Sequence, residues 1–167
     1  MDVMEAIRTR RSIRAYKPDP VPEDVLLQVL EAARLAPSAG NRQPWLFVVV
    51  RDVAVKERLR QAYGAEWFFA APVVICACCS DECAWTRADG KCYGDVDVTI
   101  AMDHLILAAW ELGLGTCWIG AFDAAKATEV LGLPEGYAPL AMTPLGYPAQ
   151  QPEAKPRKPL EEIVRLI

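Results

Sequence analysis

A chain of 167 residues has the size of one domain, and it buries roughly two-thirds of the surface its unfolded form exposes, enough to fold without disulfide or metal staples. Hydrophobic residues make up 53% of it, which leaves apolar surface for a pocket or a subunit interface as well as a core. A formal net charge of −4 argues against a general nucleic-acid binder, and the longest apolar segment, Ile100 to Trp110, is interrupted by Asp103 and His104 and is too short to span a bilayer.

In chain order, Asp2 can cap a first helix, with Glu5 completing a capping box and Val3, Met4 and Ile7 on one face. Asp2, Glu5 and the arginines that follow break up the N-terminus before an apolar run develops, so no secretory signal is read and a cytoplasmic protein is expected. Pro18 and Pro20 end this unit. A second helix opens at Pro22-Glu23-Asp24 and keeps helical period through Val25, Leu26, Val29, Leu30 and Ala33. Ala36 to Pro44 is a loop of turn formers, and Trp45 to Val50 a β-branched and aromatic strand.

Asp52 to Tyr63 reads as a helix and Pro72 to Cys79 as a buried strand, followed by a polar, turn-rich stretch over 80–94. Asp97 to Leu112, apolar on most sides, is a central helix stopped by Gly113-Leu-Gly115. Then come a strand over Thr116 to Ile119, a helix over Ala124 to Leu131, a strand over Tyr137 to Leu145 and a Gln/Pro-rich tail ending in a helix over Leu160 to Leu166. Helices and strands mix without strict βαβ alternation, so the expected class is α+β: a mixed sheet flanked by helices, in a single domain over residues 1–167.

Several catalytic machineries are missing. The only histidine, His104, sits in the middle of a helix and reads as a hydrogen-bonded core residue. There is neither a P-loop nor a G-x-G-x-x-G fingerprint after a strand. Six cysteines without a signal peptide suggest reduced thiols, and the spacing of Cys76, Cys78, Cys79, Cys83 and Cys92 fits no zinc or iron–sulfur pattern, so no metal is expected. What remains is anion chemistry. Arg8, Arg10, Arg11, Arg14 and Lys17 cluster at one end of the chain and Lys155, Arg157 and Lys158 at the other. These are either two solvated basic faces or two halves of one anion site. Guanidiniums bind phosphate through paired N–H donors, and Ser12 adds a hydroxyl.

Arg10-Arg11-Ser12-Ile-Arg14 resembles the signature with which nitroreductase-family flavoproteins hold the phosphate and ribityl chain of FMN. Pro37-Ser38-Ala39-Gly-Asn41-Arg42-Gln43-Pro44-Trp45 is similar to that family's second motif, a loop that in related proteins comes from the neighbouring subunit. Gly113-Leu-Gly-Thr-Cys-Trp118-Ile119-Gly120-Ala121-Phe122 resembles the third, where backbone approaches the flavin ring, and Gly146-Tyr-Pro148 with Lys155-Pro-Arg157 the closing one, whose basic pair returns to the phosphate. Four motifs in order cover nearly the whole chain.

The resemblance implies an intertwined homodimer with FMN at its interface and NADH or NADPH as electron donor. The acceptor would be a small oxidised molecule such as a nitroaromatic, a quinone or another flavin. No side chain is assigned as acid or base, because the cofactor carries the chemistry. Small residues at Ala39, Gly40, Gly120 and Ala121 would let backbone approach the ring, and Arg14 is the candidate cation for its N1–C2=O edge. Trp45 and Phe122 read as core anchors, Trp118 as either core or ring-lining, and Arg8 and Arg42 as surface charges. The segment between Cys79 and Gly94 is shorter than in larger relatives, so substrate preference does not transfer, although Trp85, Arg87, Lys91 and Tyr93 in it are possible pocket residues. The same scaffold supports other flavin chemistry, including dehalogenation, azoline oxidation and flavin fragmentation, and a non-catalytic flavin sensor is a further reading.

Overall fold

The computed structural model describes residues 1–167. Its elements are α1 (Val3–Thr9), α2 (Glu23–Arg34), a single 3₁₀ turn (Ala39–Asn41), β1 (Trp45–Val50), α3 (Val53–Leu59), α4 (Glu66–Phe69), β2 (Val73–Cys79), α5 (Gly94–Glu111), β3 (Gly115–Thr116), α6 (Ala124–Leu131), β4 (Ala138–Gly146) and α7 (Leu160–Ile163). The sheet runs β1-β2-β4-β3, with every named pair antiparallel. Its parallel component is the Ser12–Thr116 bridge at the edge.

β2 shows why the molecule has three layers. All seven of its residues are buried, and successive side chains point to opposite faces. Val73, Ile75, Ala77 and Cys79 pack with Leu26 and Val29 of α2 and Val98, Met102 and Leu105 of α5. Val74, Cys76 and Cys78 pack on the other side with Leu59 of α3, Phe68 and Phe69 of α4 and Ala127 of α6. The sheet is therefore covered on both faces, which accounts for a continuous apolar run in place of alternation. Trp45 joins the first core and Phe122 the second, as anchors.

The element ends depart from the sequence expectation for local reasons. The cap on α1 is one-sided: the Asp2 carboxylate accepts the Glu5 N–H at 2.8 Å, while Thr9 Oγ1 donates back to Glu5 O at 2.7 Å. α3 stops at Leu59 because the next N–H groups, from Arg60 to Ala62, tighten to bonds three residues back. A fourth helix then carries the aromatic cluster, with Phe68 edge-on to Tyr63, Trp67 and Phe69. α5 begins at Gly94, three residues before the expected Asp97. A Cβ on Gly94 would sit 2.4 Å from Cys79 Sγ, so glycine lets this helix start against the end of β2. β3 is only two residues long, α7 ends at Ile163, and β4 runs on to Gly146.

Candidate functional site

The turn after α1 is built to present cations. Ile13 is fully buried, and its N–H donates to Thr116 O at 2.9 Å. Gly115 lets the two segments touch, since a Cβ there would lie 2.7 Å from Ile13 Cγ1. Tyr16 Oη donates to Ile13 O at 2.7 Å from a buried position, and that burial pushes its phenol above the ordinary value. With Ile13 and Tyr16 inside, Arg10, Arg11, Ser12 and Arg14 are left at the rim.

The C-terminal segment runs back beside them. Tyr16 bridges Pro148, Ala149 N–H donates to Ala15 O at 2.9 Å, and Lys17 N–H donates to Tyr147 O at 2.9 Å. Beyond this clasp, Lys155 and Arg157 face Arg8, Arg10, Arg11, Ser12 and Arg14 across a cleft of about 500 Å³. The two basic clusters thus meet, and Arg8, which sequence alone leaves on the surface, lines the cleft as well. None of these six cations makes an intramolecular salt bridge, and Glu153 is the one acid in the lining. Arg11 turns its guanidinium toward the carbonyls of Arg8 and Arg10, at 3.0 and 2.8 Å. Arg14 stands 5.9 Å from the centre of the Trp67 ring, a cation–π distance.

On the other side of the turn, Arg10, Arg11 and Ser12 share a smaller cavity of about 210 Å³ with Asp103 and Ile106 of α5, Thr116, Cys117 and Trp118. Burial pushes the Cys117 thiol up, against the pull of the Arg14 charge and of Ser12. Trp118, 38% exposed, also borders an adjoining cavity of about 440 Å³ with Thr99, Ile100, Asp103 and His104. Trp118 is therefore a lining residue, while Gly120 and Ala121 lie exposed next to it. Ile119 departs from the expectation. Its side chain is buried in the α3–α6 core instead of lining a cavity, and both its N–H and its C=O pair with Met142. His104 departs too: it is half-exposed beside Trp118 and has no hydrogen-bond partner.

The second motif lies elsewhere. Ala39 N–H donates to Asp97 Oδ1 at 2.9 Å, which ties the Pro37–Gln43 loop to the first turn of α5. Asp103 and Ile106, which line the cavity beside Arg10, are about 9 and 14 Å further along the helix axis. No residue from 37 to 43 lines the arginine cleft or the two cavities that reach Trp118. Asn41, Arg42 and Gln43 point outward, with Gln43 Nε2 donating to Asn41 Oδ1 at 3.2 Å. One chain thus brings together the first, third and closing motifs and leaves the second facing away. Asp97, Asp103 and Cys117 are residues to which sequence reading gives no part in the site. Cys117 stands inside the third motif and Asp97 in a first helical turn, whereas Asp103 carries no signal.

The cysteines form no site of this kind. Cys76 and Cys78 are buried in β2 with Sγ atoms 3.7 Å apart, and that hydrogen bond together with burial pushes the Cys76 thiol up. Burial, reinforced by Asp81, pushes Cys79 up to about 12, so it stays a protonated thiol at neutral pH. No group of three or more His, Cys, Asp or Glu side chains is arranged to hold a metal ion. Residues 85–93 form a small hairpin, bridged at Thr86–Cys92, in which Arg87 pairs with Asp89 at 2.6 Å and Trp85 packs edge-on against Tyr93. No helix is long and apolar enough to cross a membrane.

The chain has relatives of known sequence and fold. The sequence profile of the Nitroreductase family matches residues 7–67 and 60–147. A protein of Methanothermobacter thermautotrophicus, whose name carries both NADH dehydrogenase and NAD(P)H nitroreductase, is 39% identical over 91% of this chain and 80% of its own length. A Bacillus subtilis protein, named an FMN reductase acting with NAD(P)H, is 31% identical over 97% of this chain and 72% of its own. The crystal structure of a nitroreductase family protein from Clostridium difficile superposes with a TM-score of 0.89 at 35% identity, covering 99% of this chain and 98% of that one. The profile match, the sequence relatives and the superposed fold agree: the chain belongs to the Nitroreductase family.

Proposed function

We propose that residues 1–167 act as one domain that binds FMN non-covalently at the interface of a two-fold homodimer. The dimer passes reducing equivalents from NADH or NADPH to a small oxidised acceptor such as a nitroaromatic, a quinone or another flavin. The observation that carries this reading is the cleft where Arg10, Ser12, Lys155 and Arg157 converge without salt-bridge partners. A phosphate dianion needs several fixed donors, and this lining offers guanidinium, ammonium and hydroxyl groups with one acid among them. The donor set fits FMN.

Bound FMN would supply the hydride chemistry, at N5 of its ring. The chain's part is to bind and orient. Arg10, Arg11, Ser12, Lys155 and Arg157 hold the phosphate end, and Arg14 supplies positive charge for the N1–C2=O edge. Trp118, Gly120 and Ala121 border the ring. The partner subunit's Pro37, Ser38, Ala39, Asn41 and Gln43 complete the site from across the interface, which accounts for a polar loop facing away from its own cleft. The name of the Bacillus subtilis relative supports the same cofactor and donor.

The test is an anaerobic absorption spectrum of the purified protein before and after addition of NADH and then NADPH. Flavin bands that bleach quickly with either donor are expected. Bands that persist would shift the reading to other flavin chemistry or to sensing, and a colourless protein that refuses added FMN would overturn it. For the shared site, sedimentation should give a dimer wherever flavin is retained. A monomer that holds FMN would remove the partner's loop from the site.

A further inference from the structure

We propose that Asp97 is the positioning residue that holds the Pro37–Gln43 loop in its flavin-contacting shape, an inference that rests on the FMN reading above. Three observations carry it. First, Asp97 is 2% exposed, yet it carries a carboxylate whose Oδ1 accepts the Ala39 N–H at 2.9 Å while Oδ2 is buried with no partner. A charge in that position is expensive to keep, and its only hydrogen bond goes to the loop.

Second, this is the one hydrogen bond that reaches residues 38–43 from outside them. Every other bond is local: Asn41 N–H to Ser38 O at 2.9 Å, Arg42 N–H to Ala39 O at 3.3 Å, Gln43 N–H to Ser38 Oγ at 2.9 Å, and the Gln43 amide to Asn41. Third, the loop is in a conformation that it does not hold for free. Gly40, Asn41 and Gln43 have φ of 60°, 55° and 50°; glycine and, less readily, asparagine visit the left-handed region, but for glutamine it is unfavourable. Such a loop is steadied when both its ends are fixed: Pro44, just after it, accepts the Ser80 N–H at 2.9 Å, and its start is fixed at Ala39.

Asp97 fixes that end from a rigid support, because α5 is the long central helix and the carboxylate sits in its first turn, where the helix dipole favours negative charge. Pinning Ala39 inward leaves Asn41 and Gln43 exposed on the outer side. A loop ordered before the ligand arrives has no ordering cost left to meet on binding. Asp97 therefore acts on the flavin through the loop, and at the partner subunit's site rather than at its own.

The experiment compares wild type, Asp97→Asn, Asp97→Ala and Ala39→Pro. FMN dissociation constants are measured by fluorescence quenching, alongside unfolding temperatures and deuterium exchange of the loop amides. Asp97→Ala is expected to weaken FMN binding roughly tenfold and to speed exchange in the loop, while Asp97→Asn, which keeps an acceptor oxygen, stays within about threefold of wild type. Ala39→Pro removes the donor instead, and Ser38, at φ −141° and ψ 157°, already has the extended conformation that a following proline requires. It should match Asp97→Ala, and it keeps the test open if that variant does not fold. An Asp97→Ala protein that melts earlier but binds FMN as wild type does would make Asp97 merely structural and overturn the inference. So would an Ala39→Pro protein with wild-type affinity. If wild type itself refuses FMN, the functional reading fails and this inference fails with it.

Discussion

The arginine turn and the Pro37–Gln43 loop are both short, polar and rich in turn formers, yet the chain holds them in opposite ways. The turn is clamped from within: Ile13 and Tyr16 are buried, Gly115 packs on Ile13, and the segment after β4 clasps residues 15–17. The loop is tethered by one hydrogen bond to Asp97, and its polar side chains face outward. The comparison teaches that one short polar segment can be fixed from many sides and another from few. On the FMN reading proposed above, the first would be complete within one chain and the second would be completed across a dimer interface.

Breaking the first of these should have the largest effect. Arg10→Ala combined with Arg157→Ala removes two charge-assisted contacts, each worth about 1.5–3 kcal/mol, so FMN affinity should fall at least about a hundredfold. Fluorescence titration would show it. Neither arginine makes a salt bridge, so the melting temperature without flavin should barely move. Unchanged affinity would mean that the cleft is not the phosphate site.

Gly115→Ala attacks the clamp instead of the charges. The new Cβ meets Ile13 at 2.7 Å in a fully packed place, an overpacking cost of about 1–3 kcal/mol. At about 2–4 °C per kcal/mol, calorimetry should show a clear drop in melting temperature, with flavin affinity lowered because the turn is displaced. A variant that melts like wild type would show that the turn is held more loosely than its contacts imply.

Gln43→Gly sharpens the contrast from the loop side. It relieves a left-handed φ of 50° and should raise stability by about 0.5–1 kcal/mol while weakening flavin binding through loss of the side chain. Stability and affinity would then move in opposite directions, whereas Gly115→Ala lowers both. The smallest effect is ionic. Raising salt from about 0.01 to 0.15 M shortens the Debye length from about 30 to 8 Å and should weaken FMN binding a few-fold. In Arg10→Ala/Arg157→Ala much of that dependence should vanish, and in Gln43→Gly it should persist.

Much of this was legible in the sequence, and the parts that were not share a cause. The run Val73–Cys79 announces a buried strand, and the near-continuous apolar character of α5 announces a central helix; both are covered on more than one side, as expected. The arginine turn is local, so its composition displays it. α4 escapes sequence reading because Glu66–Phe69 is too short to show a period, and β3 is shorter than expected because the ladder breaks after Thr116, where the Cys117 N–H turns to Thr143 Oγ1, and resumes only as a single bridge from Ile119 to Met142. Ile119 reads as part of a ring-lining motif, yet its place is set by a pairing with Met142 on β4. Asp97 reads as a first-turn acid, and nothing near it in sequence reveals a bond to Ala39, 58 residues away. Long-range pairings are what a single sequence conceals.

The clasp between Tyr16 and Pro148 also sets an order of events. It joins residues that precede and follow all four strands, so it can form only after the segments between them have been made. While the C-terminal segment is still inside the ribosome, the strands and helices before it can already assemble, but Arg10 and Ser12 have no Lys155 or Arg157 opposite them. The cleft's set of cations is thus complete only once Lys155 and Arg157 have come to face Arg10 and Ser12, and a truncation that removes the clasp should leave the sheet and the core but not that pairing.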